Sequence, residues 1–296
     1  CTLVLVCLIS CKESSSANTV DTSSSDAASD LSVILQYSEE REVCADRDPH
    51  RKVYYGDLHV HTGFSFDAYS YGNNLSPRDA YAFARGESVQ LAPLLEGVGT
   101  RTARIGRPLD FLAVTDHGEF LGEIHQCSTI GSYGYDSEVC TRYRDPEGNG
   151  AFQFGTHLSG ENPTRDVTIC GDDLSHCHNS SVLRWAEMVK AAEEAYDKTS
   201  ACAFTTFAAY EYTNTFNVSN LHRNVVFRNT VVPEKPVTYF EAPFPDLLWT
   251  GLDSQCLEGM EGCDVLVIPH NSNLSNGRLF GADFRGAEGA DSKKEM

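Results

Sequence analysis

The sequence places two histidines at alternate positions of one short predicted strand, Gly56-Asp57-Leu58-His59-Val60-His61-Thr62. The apolar and aromatic residues in and just before this stretch favour a β-strand. In an extended segment residues i and i+2 point to the same side, so His59 and His61 can share one metal ion. A histidine pair of this kind can also simply cap and solvate a strand end. The metal hypothesis therefore depends on what other strands contribute.

Four further predicted strands begin or end on ionisable side chains. The apolar run Leu109–Thr115 is typical of a strand covered on both faces in a parallel sheet, and it leads into Asp116 and His117. In parallel α/β sheets and barrels, strand ends of this kind meet at the edge that carries the chemistry. The other candidates are Glu211 after the run 203–210, His222 before the strand 225–227, and His270 after the run 264–268.

Imidazoles and a carboxylate at one edge would form a pocket for a borderline divalent metal such as Zn, Mn or Fe. Glu211 could bridge two ions, an arrangement that holds the attacking and leaving oxygens in phosphoester hydrolysis. Asp67 lies in a Gly- and Ser-rich segment after His61 and could fold back as an oxygen ligand or form a local turn. We expect Asp116 to orient a ligand or to accept a proton.

The chain has 296 residues, a length that suits one large α/β barrel or sandwich, and a net charge of −19. This charge argues against nucleic-acid binding, because phosphate groups would be repelled. A small-molecule substrate, expected to be phosphorylated, and a bound cation are the partners that fit.

The first residues predict an exported, lipid-anchored protein of the bacterial cell envelope, on its periplasmic or surface side. The apolar run Thr2–Ile9 is too short to span a bilayer but suits a signal-peptide core. It leads into Cys11, which would carry the lipid anchor if the segment is a lipobox; an ordinary leader with a chance cysteine is the alternative. We expect a signal peptide at 1–11, a Ser-rich disordered linker at 12–30 and a catalytic domain at 31–296.

An even number of cysteines follows Cys11, which favours disulfides in an exported chain. No C-x-x-C spacing occurs among them, so a structural zinc knuckle is not expected. Sequence alone does not fix the connectivity. The close spacings suggest Cys127–Cys140, Cys170–Cys177 and Cys256–Cys263, which leaves Cys44 with Cys202.

Two helices are well marked. Ser76 as N-cap and Pro77 at the first helical position predict a helix to Arg85, and apolar periodicity predicts a longer helix over 182–198. Residues 119–179 carry many glycines, charges and cysteines and are expected to form an irregular insertion that partly covers the site. The histidines in this segment and His50 are expected at the surface.

Five segments resemble those of the DUF3604 family, a branch of the polymerase-and-histidinol-phosphatase (PHP) superfamily. They recur in order over about residues 50–290: Gly-Asp-Leu-His-Val-His-Thr, Asp-Phe-Leu-Ala-Val-Thr-Asp-His, Tyr-Glu-Tyr-Thr, Leu-His-Arg-Asn-Val and Pro-His-Asn-Ser-Asn. The resemblance implies a distorted (β/α)7 barrel with two or three divalent metals at its carboxyl-terminal rim, and hydrolysis of a phosphoester.

The same resemblance implies a division of the ligands. His59 and His61 would hold a first metal, Glu211 would bridge to a second held by His222 and His270, and His117 would serve a third. Many PHP sites have a histidine where this chain has Asp67. No Asp-x-His follows His270, so we expect a sequence truncated at both ends, with an incomplete barrel and metal site.

Arginine side chains are candidates for substrate recognition, because the guanidinium fork suits phosphate or carboxylate. The candidates are Arg223, which could also be catalytic, and Arg278 together with Asn271 of the neighbouring loop. Either arginine could instead form a structural ion pair. Two other functions stay open: hydrolysis of an amide or carboxyl ester by the same activated water, and a disulfide-stabilised surface module that binds calcium through oxygen ligands.

Overall fold

The computed structural model describes residues 40–280 except 49, 51, 96–97, 146–147, 149, 159–161, 271 and 273. The predicted signal peptide, the lipobox Cys11 and the linker lie outside this range. So do the candidate Asn271 and residues 281–296.

The described residues form a mixed α/β structure with a five-stranded sheet in the order β1-β4-β5-β6-β7 and a separate hairpin β2-β3. The three strands β1, β4 and β5 are parallel, whereas β6 is antiparallel to both β5 and β7. The strands are β1 Gly56–Val60, β2 Val89–Leu95, β3 Val98–Ala103, β4 Phe111–Val114, β5 Thr205–Asn214, β6 Leu221–Phe227 and β7 Val265–Pro269.

Eight α-helices connect these strands. They are α1 Phe66–Ser70, α2 Pro77–Ala84, α3 Leu121–Ser128, α4 Glu138–Arg144, α5 Gly150–Thr156, α6 Val167–Cys170, α7 Ser175–Ala195 and α8 Pro245–Leu252. Short 3-10 turns at Gly118–Phe120 and Phe216–Val218 and a π-helical turn at Asp253–Leu257 complete the described helical structure. None of these helices is long and apolar enough to cross a membrane.

The main core lies between the sheet and helices α2, α3 and α7. Trp185 of α7 is buried against Tyr210 and Phe227, and its indole Nε1 donates to the carbonyl of Pro233 at 2.8 Å. A smaller apolar cluster centred on Ala209 lies apart from it. Since neighbouring residues of a strand point to opposite faces, Ala209 and Glu211 share the face opposite Tyr210.

The structure corrects several sequence expectations. Within the described residues no sheet closes into a barrel: the five-stranded sheet has β1 and β7 as its edges. Glu211 does not end its strand, since β5 continues to Asn214. The helix predicted over 182–198 is α7, which begins at Ser175 and ends at Ala195. The segment 119–179 is largely helical rather than irregular, because it contains α3 to α6.

Other expectations are confirmed. Ser76 caps α2, accepting from the backbone N–H of Asp79 while the Asp79 side chain accepts from the Ser76 N–H, which forms a capping box. All four suggested disulfides form: Cys44–Cys202, Cys127–Cys140, Cys170–Cys177 and Cys256–Cys263. Such a set of disulfides indicates an oxidising compartment, either extracellular or periplasmic.

Candidate metal centre

A single buried carboxylate, Glu211, is the centre of a cluster of imidazoles. Its side chain is 1% exposed, and its two oxygens face different histidines. Oε2 lies 2.6 Å from His61 Nε2 and 3.3 Å from His59 Nε2. Oε1 lies 2.6 Å from His222 Nδ1 and 3.3 Å from His270 Nε2. The carboxylate therefore joins two pairs of histidines that are far apart in sequence.

The histidines of β1 reach the cluster together, as the alternation predicted. The pairing of β1 with β4 is irregular between Asp57 and Val60, and the Asp57 side chain accepts from the His59 N–H at 2.9 Å. The rings of His59 and His61 lie edge to face with centroids 4.9 Å apart. Both ring Nε2 atoms consequently approach the same oxygen of Glu211.

His117 and Asp67 extend the cluster on the side of His61. His117 follows β4 and forms a bridge with Glu211 of β5, which places its Nε2 3.9 Å from Glu211 Oε2. Asp67 lies in the first turn of α1, and its Oδ2 is 3.0 Å from His61 Nδ1 and 3.6 Å from His117 Nε2. Asp67, His61 and His117 thus offer three ligand atoms close together.

His222 and His270 come from neighbouring antiparallel strands. His222 is the second residue of β6, and His270 follows β7, with its backbone N–H donating to the His222 carbonyl at 3.2 Å. Because β6 runs opposite to β5, the beginning of β6 lies at the same edge as the ends of β4 and β7. All candidate metal ligands therefore lie at the same end of the sheet, where β4, β5 and β7 end and β6 begins.

Thr213, which sequence reasoning did not single out, connects the two halves of the cluster. Its hydroxyl lies 2.8 Å from His117 Nδ1 and 3.0 Å from His222 Nδ1. A hydroxyl has one hydrogen to donate, so it can donate to only one of these nitrogens and must accept from the other. The protonation of the two rings is coupled through this side chain.

The acid–base character of the cluster follows from its mixture of carboxylates and imidazoles. Burial alone would lower the pKa of His61, but its hydrogen bonds to Asp67 and Glu211 raise that pKa to about 10. Burial opposes ionisation of Glu211, but the charge of His117 and hydrogen bonds from other histidines hold its pKa well below the usual range. The Asp67 pKa is lowered in the same way. The two carboxylates are therefore ionised, and positive charge on the neighbouring histidines is what stabilises them in this form.

Glu119 is a second group that the sequence did not reveal. It is fully buried, its Oε1 accepts from the Thr213 N–H at 2.9 Å, and its Oε2 lies 3.8 Å from His117 Nδ1. Burial raises its pKa to about 7, although the charge of His117 acts against this. Glu119 thus lies behind His117, on the side away from Glu211.

Asp116 is buried behind the ligands and does not enter the cluster. It accepts hydrogen bonds from the backbone N–H and the hydroxyl of Thr62, which follows His61. Burial raises the Asp116 pKa to about 6, against the effect of these bonds. Asp116 thus fixes the end of β1 through Thr62, and both roles expected of it, orienting a ligand and accepting a proton, stay predictions.

The two arginines expected to contact substrate, Arg223 and Arg278, differ in their surroundings. Arg223 is 0% exposed and donates from Nη1 to the Leu221 carbonyl at 3.2 Å. It follows His222 in β6, so its side chain points to the opposite face, and a role in substrate contact or catalysis is not supported. Arg278 is exposed and lies in a turn closed by its N–H to the Ser275 carbonyl at 3.0 Å. The expectation for Arg278 stays a prediction.

The donor atoms of the cluster fit a divalent metal. Both ring nitrogens of His270 and Oε2 of Glu119 are buried and make no hydrogen bond among the described residues. Buried polar atoms normally have partners, but His270 Nδ1 has none and His270 Nε2 has only the 3.3 Å approach of Glu211 Oε1, so His270 has a nitrogen to offer a further ligand. Imidazole and carboxylate together are the donors preferred by Zn, Mn and Fe. The residues that could hold metal are His59, His61, Asp67, His117, Glu211, His222 and His270.

Another group of close side chains is not a metal site. Glu123, Cys170 and Cys177 lie near one another, but the two cysteines are joined in a disulfide. Both oxygens of Glu123 accept from Arg165 Nη1, at 2.6 and 2.7 Å. This buried pair is structural.

Fold and site together define a mixed α/β protein with a histidine- and carboxylate-rich cluster at one edge of its sheet. The family model described as "Protein of unknown function (DUF3604)" matches residues 48–295, and the chain belongs to this family. Comparisons with curated proteins and with solved structures find no match.

Proposed function

We propose that this protein is a metal-dependent hydrolase that acts on phosphoesters. The observation that carries the proposal is the convergence of five imidazoles on the buried Glu211 carboxylate, within 2.6 to 3.9 Å of its oxygens. An arrangement of this kind places several neutral or cationic donors around one negative group. In a protein that only needed stability, burial of so many titratable side chains would be unfavourable.

The ligands fall into groups around Glu211. His59 and His61 would hold one cation with Glu211 Oε2, and His222 and His270 would hold another with Oε1. His117 and Asp67 could hold a third, while His61 Nδ1 keeps its hydrogen bond to Asp67. When bound, divalent cations supply Lewis acidity, which polarises a phosphoryl oxygen and lets water ionise near neutral pH.

The protein's own residues then orient and adjust these ligands. Asp67 accepts at His61 Nδ1 and thereby directs Nε2 toward Glu211. Thr213 lies at Nδ1 of His117 in the same way, with His117 Nε2 on the side of Glu211. At His222 the Thr213 hydroxyl and Glu211 Oε1 both approach Nδ1. Asp116 holds Thr62, and with it the strand end that carries His59 and His61.

Two finer proposals accompany the activity. The chain would be a PHP-superfamily member whose sheet corresponds to part of that superfamily's barrel wall. The parallel strands β1 and β4, each followed by ligands, support this. It would also be a lipoprotein anchored at Cys11, which the oxidising compartment indicated by the disulfides supports.

The test combines metal analysis with a substrate screen. Purified protein should contain Zn, Mn or Fe and should hydrolyse phosphoesters, with activity lost on chelation. We expect His59→Ala and Glu211→Ala each to lose bound metal and more than about a hundredfold in kcat/KM. His50→Ala, which alters an exposed histidine, is the matched control and should keep both.

Several results would count against the proposal. Full activity in both site variants would reject the site. Calcium as the only bound metal would favour a surface binding module. Hydrolysis of amides or carboxyl esters but not of phosphoesters would keep the metal site and change the reaction.

A further inference from the structure

A cavity of about 510 Å³ adjoins the cluster on the side of helix α2 and the β2-β3 hairpin. Its lining is mainly apolar, and the larger side chains come from α2, the hairpin and the segments beside them: Leu75, Phe83, Val89, Leu91, Ile105 and Leu109. Ligand pockets in proteins typically have volumes of about 300–1,000 Å³ and such apolar walls. The cavity therefore has the size and character of a small-molecule site.

The cavity and the proposed metal centre share one residue, His61. This residue forms part of the cavity wall, and its Nε2 is the atom that lies 2.6 Å from Glu211. The other polar residues on the wall include Asn73, whose side chain donates to the His61 carbonyl at 3.3 Å, and Arg107, which is exposed. His61 thus places the cavity next to the cluster, and most of the remaining wall is apolar.

We propose that this cavity binds an aryl or alkyl group of the substrate while the phosphoester lies at the histidine cluster. The inference rests on the proposed hydrolase function and names its substrate class: phosphoesters with an apolar substituent. A simple sugar phosphate or inorganic polyphosphate would leave the apolar wall without a partner. An apolar substituent would cover that wall and exclude water from it, and this burial of apolar surface would favour binding of the substrate.

The volume of the cavity limits the size of the apolar substituent that it can hold. An apolar cavity of about 150 Å³ already accepts a benzene ring. A space of about 510 Å³ therefore accepts two rings or a medium-length alkyl chain. Each additional buried methylene should improve binding about fourfold until the cavity is full.

Two neighbouring residues of β3 provide a matched pair of variants. Ala103 lines the cavity, whereas Thr102 is exposed and points to the other side of the hairpin. Ala103→Phe should fill part of the cavity, and Thr102→Phe should add the same ring outside it. Circular dichroism and metal content show that each variant is folded and loaded. Ala80→Leu, on the α2 wall, serves as a smaller filling change if Ala103→Phe does not fold.

Binding is measured separately from catalysis. Fluorobenzene, followed by ¹⁹F NMR, reports on the apolar space without the metal, and isothermal titration compares phenylphosphonate with methylphosphonate on the metal-loaded protein. We expect wild type and Thr102→Phe to bind fluorobenzene and to prefer the phenyl ligand at least tenfold. Ala103→Phe should lose both properties while it still binds methylphosphonate.

The outcomes separate this inference from the proposed function. If wild type hydrolyses methyl and aryl phosphoesters equally well and binds no fluorobenzene, the cavity proposal is overturned and the hydrolase stands. If fluorobenzene binds and is lost in Ala103→Phe but no phosphoester is hydrolysed, the apolar site stands and the proposed reaction fails. An equal loss in Thr102→Phe would also overturn the cavity assignment.

Discussion

The disulfide Cys44–Cys202 should contribute more to stability than the other three, because it closes by far the longest loop. It spans 158 residues of sequence, whereas Cys256–Cys263 spans only 7. A cross-link restricts the unfolded chain, and its contribution grows with the logarithm of the loop length. On that relation the long loop is worth about 5 kcal/mol and the short one about 2.5 kcal/mol.

The perturbation is replacement of both cysteines of a pair by alanine. Cys256 and Cys263 are buried, so their replacement also leaves a small void that costs about 1 kcal/mol. Cys44 and Cys202 are partly exposed and should add little of this kind. We therefore expect Cys44→Ala/Cys202→Ala to lower the free energy of unfolding by at least about 1.5 kcal/mol more than Cys256→Ala/Cys263→Ala.

Urea unfolding, followed by circular dichroism under oxidising conditions, measures the two differences. A second readout checks the cause: because the effect acts on the unfolded chain, metal affinity of the folded long-loop variant should stay within about twofold of wild type. Equal losses for the two pairs, or a larger loss for Cys256–Cys263, would refute the loop-length reasoning. A large drop in metal affinity would show that the disulfide shapes the folded site instead.

Two further predictions concern single side chains. Thr213→Val should weaken metal binding about tenfold, because His117 and His222 lose the hydroxyl between them, and Thr213→Ser should restore it; isothermal titration measures both, and no change in Thr213→Val would contradict the proposed coupling. Burial works against ionisation of Glu241, but hydrogen bonds from Lys235 and Thr238 lower its pKa. Its carboxylate therefore stabilises the fold above about pH 4.5, and this contribution is lost as pH falls through the lowered pKa. Glu241→Gln should cost about 1 kcal/mol in urea unfolding at pH 7 and progressively less as the pH is lowered below about 4.5, and a cost that does not change with pH would exclude this cause.

Most of the candidate ligands could be located from the sequence because they lie at or near an end of a short apolar strand. His59 and His61 alternate, and His117 and His270 directly follow β-branched or apolar runs, so strand geometry alone directs them to one edge. Three of the cysteine pairs could be predicted because their partners are close in sequence, and Cys44 and Cys202 were the two cysteines that remained. Strand alternation and cysteine spacing were therefore sufficient to locate these residues.

The direction of β6 required information about the connection before it. Only residues 215–220 separate β5 from β6, and a parallel return needs a crossover of about a dozen residues or more. The sequence runs did not mark where β5 ends, because β5 continues three residues past Glu211. If the end of β5 were known, the antiparallel pairing of β5 with β6 could be predicted, and with it the position of His222 at the cluster.

Glu119 and Thr213 were missed because their roles depend on contacts across the fold. Glu119 lies 94 residues from Thr213, whose N–H donates to it, and Thr213 lies 96 residues from His117. Neither residue type is unusual at its own position in the chain. The helices of 119–179 were missed because they are short, and disulfides such as Cys127–Cys140 hold them where apolar periodicity is weak.

The antiparallel course of β6 also determines which part of the surface can be altered freely. Since β6 begins at the cluster, its end and the start of β7 lie at the far edge of the sheet, and residues 228–264 leave and return there. Their exposed turn around Glu258 and Glu261 lies next to Gly262, whose carbonyl accepts from the Asn229 side chain just after the end of β6. This turn is the natural attachment point for a fluorophore, an affinity tag or an immobilising linker on a working protein.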